Sequence, residues 1–164
     1  AAILGFLQID SRGNVNASKR GEKITEYVGA GGFPDIASGA KVVLFVGTWM
    51  SGGKFEIKAD KLLLSKKGNP KFVKQVDQVT FNGAEGLKSG KKIFYITNVG
   101  VFTLTGKGLM LIMVMPGIDI KKDIINACEA TIILPGDKEV TVVDVSIFKP
   151  KEFRLSRDSM TNKF

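Results

Sequence analysis

The chain has 164 residues, 44% hydrophobic and 24% charged, with a net charge of +8. That length suits one domain around one core, and the longest apolar run, "LMLIMVM" at 109–115, is too short for a membrane helix of about 20 residues. Cys128 is the only cysteine and there is no histidine, which excludes an internal disulfide, His-based triads and His-metal sites and fits a reducing, cytoplasmic compartment.

In chain order, residues 3–9 read as a strand, and "DSRGNVN" (10–16) reads as a turn bent at Gly13-Asn14. A short extended run follows at 15–18, and then the polar segment "KRGEKITEY" (19–27). Next comes "GAGG" (29–32), leading into "FPDIASGA", where Pro34 suits a first helical turn and Gly39 a helix end. "KVVLFVG" (41–47) is a continuous apolar, β-branched run, the pattern of a strand buried on both faces of a parallel sheet. Thr48 and Trp49 follow it, at the carboxyl end where open parallel sheets bind ligands; Trp49 reads equally well as a surface cap.

Residues 54–81 have another texture. Apolar positions alternate with Lys and Glu around turns at Ala59-Asp60 and at 68–70, with Phe55, Ile57, Leu62 and Leu64 on one face. The pattern predicts an antiparallel meander. "NGAEGLKSG" (82–90) is a turn or short helix; "KKIFYIT", "VFTLT" and "LMLIMVM" are three further strands. "PGIDIKKDIINAC" (116–128) is the best helix, with Asp119 as N-cap and Ile120, Ile124, Ala127 and Cys128 on one face. "VTVVDVSIF" (140–148) closes as a strand, and 149–164 is a polar tail.

Two features bear on function. Glycines let a backbone take positive φ or approach a ligand closely, and amides left unpaired beside a helix start can receive an anion. "GAGG" has that form, although a tight turn would look the same. It lacks the order of a dinucleotide fingerprint and the Lys-Ser/Thr ending of a P-loop. Charge is also uneven. Residues 54–92 carry ten Lys against four acidic residues, a bias that raises the local concentration of anions. The same bias is ordinary for a solvated, edge-protecting β surface.

Five stretches taken together resemble one family. "QIDSRGNVNAS", "GAGGFPDIASGAKVVLFVGTWMSGG", "VDQVTFNG", "IFYITNVGVFTLTGKGLML" and "PGIDIKKDI" occur in an order resembling the β-type, carboxy-terminal portion of family I CoA-transferases, nearest the acetate and propionate branch. The resemblance runs from about Ile3 to Phe148, within an expected domain of residues 1–148. It implies an open α/β fold with a largely parallel sheet and an added antiparallel meander. It implies acyl-CoA and a small carboxylic acid as substrates, with coenzyme A as substrate and no permanently bound cofactor or metal. In that family a glutamate carboxylate attacks the acyl-CoA, carries CoA as a glutamyl thioester, and passes it to a second carboxylate.

Carried over residue by residue, Gly29, Gly31 and Gly32 form the loop beside CoA and Phe33 packs behind it. Asp35 departs from the Asn often found there in relatives. The family's nucleophile lies in a Glu-x-Gly motif before the glycine loop, so no catalytic residue is expected within this chain; Glu85-Gly86 matches only in letters and follows the loop. The expectation is therefore a piece that needs an α-type half and self-associates, inactive alone. Residues 109–115 are expected to become an adhesive edge, and Lys54, Lys58 and Lys61 are candidate contacts for cofactor phosphates. The rival reading is a basic binding or assembly module without catalysis. Aromatics are not interleaved with the Lys-rich third as stacking platforms, and no basic amphipathic helix is present, which argues against nucleic acid and membrane as partners.

Overall fold

The structure is a computed structural model that describes residues 1–136, 139–149, 151 and 153. Its elements in order are β1 (Ala2–Leu4), β2 (Gln8–Asp10), β3 (Val15–Asn16), α1 (Phe33–Gly39), β4 (Val42–Val46), β5 (Met50–Ser51), β6 (Lys54–Lys58), β7 (Lys61–Lys66), β8 (Asn69–Pro70), β9 (Phe72–Val73), α2 (Gly83–Lys88), β10 (Lys92–Ile96), β11 (Gly100–Thr105), β12 (Gly108–Val114) and β13 (Thr141–Val142). The main sheet runs β1-β4-β10-β11-β12-β13. β1, β4 and β10 are mutually parallel, β10–β11–β12 are antiparallel, and β12–β13 are parallel again. The α/β class with parallel and antiparallel parts is thus the one expected.

Several local expectations change. Residues 3–9 form two strands in different sheets, because the chain bends between them to bury Phe6 edge-on against Phe72 at 6.2 Å. Within 54–81 only β6–β7 is an antiparallel hairpin; β8 pairs with β5, and β9 lies parallel to β2. The hairpin's turn holds Ala59 and Asp60 at φ 48° and 58°, the mirror-image geometry that matches strand twist. Residues 116–128 give a π-helical turn (Ile120–Ile124) and then a 3-10 turn (Ile125–Ala127) in place of one regular helix. Asp119 does cap it, accepting from the Lys122 amide at 2.7 Å. Residues 140–148 pair only at β13. Asp144 then accepts from the Ser146 amide at 2.8 Å and turns Val145–Phe148 into a 3-10 helix, local side-chain bonding that competes with the ladder. Most of the 149–164 tail lies outside the described residues.

The core sits on one face of the main sheet. Val43 and Phe45 of β4, Ile93 and Tyr95 of β10, Phe102 of β11 and Leu109 and Leu111 of β12 are all buried there. α1 joins it through Phe33, stacked on Phe45 at 5.8 Å, and α2 through Gly86, where an added Cβ would strike Phe81 and Ile93. Strand order β1-β4-β10 advances in one direction, and crossovers of the usual right hand then lay both helices on the same face. The opposite face is only half covered: Val46 is 42% exposed and Ile3 74% exposed. Burial of 41–47 on both faces therefore does not occur in this chain. Residues 109–115 are also no edge, since β12 is flanked by β11 and β13.

One turn ties the smaller sheet to the main one. Asp10 is buried, and its carboxylate accepts from the amides of Arg12 (2.9 Å) and Asn14 (3.0 Å) and from the Asn14 side chain (3.0 Å). Inside this turn Gly13 has φ 73°, and its carbonyl accepts from the Tyr95 hydroxyl at 2.7 Å. A Cβ on Gly13 would lie 2.5 Å from that hydroxyl and 2.6 Å from Leu104 Cδ2. Gly13→Ala therefore adds left-handed strain of about 1–2 kcal/mol to overpacking of about 1–3 kcal/mol. The expected outcome is a loss near 3 kcal/mol, read as a fall of roughly 6–12 °C in thermal melting by circular dichroism.

Candidate functional site

The glycine loop is held from below by side chains of the strand that precedes it. Asn16 is fully buried and uses both ends of its amide. Its Nδ2 donates to Gln8 Oε1 and to the Lys19 carbonyl, both at 2.7 Å, and its Oδ1 accepts from the Ser18 and Lys19 amides, both at 3.0 Å. That saturates the group and fixes the path of Ser18. Ser18 Oγ donates to Gln78 Oε1 at 2.7 Å, while its carbonyl accepts from the amides of Val28 (2.8 Å) and Gly29 (3.2 Å). Residues 19–27 thus form a closed excursion, pinned at its neck by an antiparallel bridge between Lys19 and Tyr27. The expected irregular segment has this one 3-10 turn, Ile24–Glu26. Asn16 and Ser18 received no role from sequence reading, although both lie in the 8–18 stretch; small polar residues crowded after a turn were the available signal.

Above that neck the backbone opens. Gly29 and Gly31 have φ 74° and 52°, values that side-chain-bearing residues seldom adopt. An added Cβ at either would meet nothing within 4 Å. These glycines thus serve conformation and leave open space above themselves. The Gly29 amide is used on Ser18, whereas the amides of Ala30, Gly31 and Gly32 have no acceptor among the described residues. Gly29, Gly31 and Gly32 are exposed. Phe33 lies at the opposite extreme: its ring is buried and stacked at 18° to Phe45. It anchors the end of the loop to the core, as a packing residue does.

Other residues named from sequence fall elsewhere. Trp49 is neither at a crevice nor a surface cap. It is fully buried, stacked on Phe102 at 5.6 Å, and its Nε1 donates to the Asp123 carbonyl at 3.1 Å. Thr48 beside it is exposed. Lys54, Lys58 and Lys61 belong to the β6–β7 hairpin, where the Lys58 ammonium is 2.6 Å from Glu56. Glu85 stands exposed in the first turn of α2, 4.0 Å from Lys88. It lines a cleft of about 230 Å³ between α1 and α2 together with Pro34 and Ser38. Among the described residues, no group of three or more His, Cys, Asp or Glu is placed to hold a metal ion, and no helix is long and apolar enough to cross a membrane.

No family model matches the chain. In sequence it is similar to the caffeate CoA-transferase of Acetobacterium woodii, 35% identical over 156 residues, which are 92% of this chain and 29% of that enzyme. It is similar as well to the acetate CoA-transferase YdiF of Escherichia coli strain K12, 37% identical over 147 residues, 88% of this chain and 27% of that enzyme. The crystal structure of the acyl-CoA transferase YdiF apoenzyme from Escherichia coli O157:H7 matches with a TM-score of 0.81 and 34% identity, over 89% of this chain and 28% of that one. The chain is homologous to one segment of these CoA-transferases. It spans less than a third of the length of the relatives it matches. A further crystal structure of YdiF is a thioester complex with CoA.

This CoA-transferase homologue has one thiol, and its position lowers its reactivity. Cys128 is half-buried, and burial pushes its pKa up to about 11, against a smaller opposing effect of its hydrogen bond with the Ala130 backbone and with a slight further push from Glu129. At pH 8 the thiolate, the reactive form, is then about one part in a thousand. Iodoacetamide at pH 8 should label Cys128 on the order of a hundredfold more slowly than a free cysteine of pKa ~8.5, with full labelling restored in denaturant, as followed by intact mass.

Proposed function

We propose that this chain supplies the CoA-side wall of an acyl-CoA:carboxylate CoA-transferase. The observation that carries this reading is the run of amides at Ala30, Gly31 and Gly32. They lie on an exposed loop without acceptors among the described residues, in a chain homologous to enzymes of which one has been captured as a CoA thioester. Backbone donors held in place before a ligand arrives are the arrangement that stabilises a developing oxyanion. Gly29 and Gly31 supply the positive φ that the path of the loop requires, and Phe33 fixes the loop's far end against Phe45.

In the proposed reaction a glutamate carboxylate outside this sequence attacks the thioester carbonyl and displaces CoA as thiolate. The thiolate returns to the glutamyl carbonyl, releasing the first acid and leaving a glutamyl-CoA thioester. A second carboxylate reverses those steps and leaves as its CoA ester. This chain contributes positioning and hydrogen bonding to that sequence, and its substrates are acyl-CoA and a small carboxylic acid. The α-type half and a homo-oligomeric assembly belong to the same proposal. The half-covered sheet face supports it, because parallel sheets ordinarily have both faces covered, and here Ile3, Leu44, Val46, Phe94 and Ile96 share the outer one.

The loop assignment is tested by titrating the purified chain with CoA and following backbone amide resonances. The signals of residues 30–32 should shift, and Gly31→Ala should weaken binding several-fold; unmoved loop signals at saturating CoA would refute it. The assembly is tested separately by sedimentation. A dimer or larger species should form and dissociate when Val46→Lys places a charge on the outer face, whereas a parent chain that stays monomeric at high concentration would contradict it.

A further inference from the structure

A cleft of about 500 Å³ opens where the 19–27 excursion faces β2 and the β5–β8 pair; Gln8, Lys19, Arg20, Ser51, Asn69 and Lys71 line it. Three of these are cations, and no carboxylate is among the lining residues. Lys19 is already compensated: its ammonium is 3.0 Å from Glu22 Oε1 and 5.5 Å from the Tyr27 ring centroid. Arg20 and Lys71 are not. Neither forms an ion pair among the described residues, and the Lys71 ammonium has only the Phe6 ring, at 5.4 Å.

The two uncompensated cations are forced to share one wall. Burial, and after it the Arg20 charge, holds the half-buried Lys71 ammonium below its usual pKa, the mark of a charge partly withdrawn from water with another cation beside it. The wall itself cannot easily move to relieve this. The Lys71 amide donates to the Trp49 carbonyl at 3.2 Å and its carbonyl accepts from the Ile9 amide at 2.9 Å; the Arg20 amide donates to the Glu26 carbonyl at 2.9 Å. The Ser51 hydroxyl and the Asn69 side-chain amide make no hydrogen bond among the described residues. They remain available as neutral donors.

A pair of cations with neutral donors beside them matches a particular ligand chemistry. A carboxylate brings one charge and two oxygens and would leave one cation unanswered. A phosphate ester brings close to two charges and three acceptor oxygens, and a guanidinium fork meets those oxygens two at a time. The cleft's volume lies within the range of sites that take nucleotide-sized groups, about 300–1,000 Å³. We propose that this cleft receives the phosphate-bearing nucleotide end of a CoA-type ligand, with Arg20 and Lys71 as its cationic contacts. The assignment of CoA rests on the proposed role of the glycine loop. Ser18 joins the two places: its carbonyl holds the Gly29 amide, and its neighbour Lys19 lines the cleft. One ligand would then pass from cleft to loop along a single rigid neck.

The test uses the full 164-residue chain and three probes, adenosine 3′,5′-bisphosphate, CoA and inorganic phosphate, titrated by calorimetry at low and moderate salt. The bisphosphate should bind more tightly than inorganic phosphate and lose affinity with salt. Arg20→Gln and Lys71→Gln should each weaken it about tenfold, while Lys107→Gln, in the exposed β11–β12 turn, should change nothing. Arg20 is exposed, so that variant tests the idea even if Lys71→Gln impairs folding. Absence of bisphosphate binding, equal affinity for inorganic phosphate, or indifference to Arg20→Gln would overturn the proposal. If CoA binds no more tightly than the bisphosphate and leaves residues 30–32 unmoved, yet both still depend on Arg20, the cleft stands and the loop assignment fails. If CoA binding moves the loop but ignores Arg20 and Lys71, the loop assignment stands and the cleft fails.

Discussion

The hydrogen bond from the Tyr95 hydroxyl to the Gly13 carbonyl, 2.7 Å long and buried, is the joint from which the neck of the glycine loop hangs. Tyr95 stands at the centre of the main sheet, stacked on Phe45 at 5.5 Å. Gly13 belongs to the turn between β2 and β3, which carries the start of the 19–27 excursion. A polar group so deeply buried must be paired or it costs stability, and burial, with a smaller contribution from Asp10, raises the phenol's pKa far above its ordinary value. The phenol therefore acts as a permanent donor. The turn has no freedom to drift, because Asp10 closes it from within and the Gly83 amide, bonded to Asn14 Oδ1 at 3.1 Å, holds it from α2.

From that joint a continuous series of contacts leads to the loop. Asn14 and Asn16 flank Val15, which is fully buried; Asn16 directs Ser18, and Ser18 holds Val28 and Gly29. A second series arrives from the aromatic core. Tyr95, Phe45 and Phe33 are stacked in succession, so α1 and the end of the loop are seated on the same tyrosine. The loop is thus clamped at both ends, while its middle amides keep no acceptor among the described residues. Preorganisation of that kind is what the proposed binding role of the loop requires, since an anion would then meet donors that need no further ordering.

The sheet is finished on one side only. Phe45, Phe81 and Tyr95 pack on the side of the helices, whereas the outer face presents Ile3 and Val46 to solvent. Charge is divided just as unevenly. The lysines of β6–β7 stand on an exposed hairpin, where one of them is paired with Glu56. The two cleft cations without an ion pair among the described residues, Arg20 and Lys71, are on different segments, and only one of them falls in the Lys-rich third.

The residue pattern by itself determined the class of the fold, the hairpin at Ala59-Asp60, the Asp10-Gly13 turn, the Asp119 cap and the α1 boundaries, because each depends on neighbours within a few residues. The order of the "QIDSRGNVNAS", "GAGG" and "PGIDI" stretches was also enough to indicate CoA-transferase kinship. Tertiary structure decided the rest. Trp49 became a core residue once Phe72 and Phe102 enclosed it, and 140–148 lost its alternating strand once Asp144 bonded to the Ser146 amide. Residues 116–128 split into a wider π turn and a tighter 3-10 turn, where Asp123 Oδ2 accepts from the Asp119 amide at 3.1 Å. Which face of β4 is covered, and which cations share a cleft, depend on contacts between segments far apart in the chain, and neither hydrophobic period nor local charge carries that information.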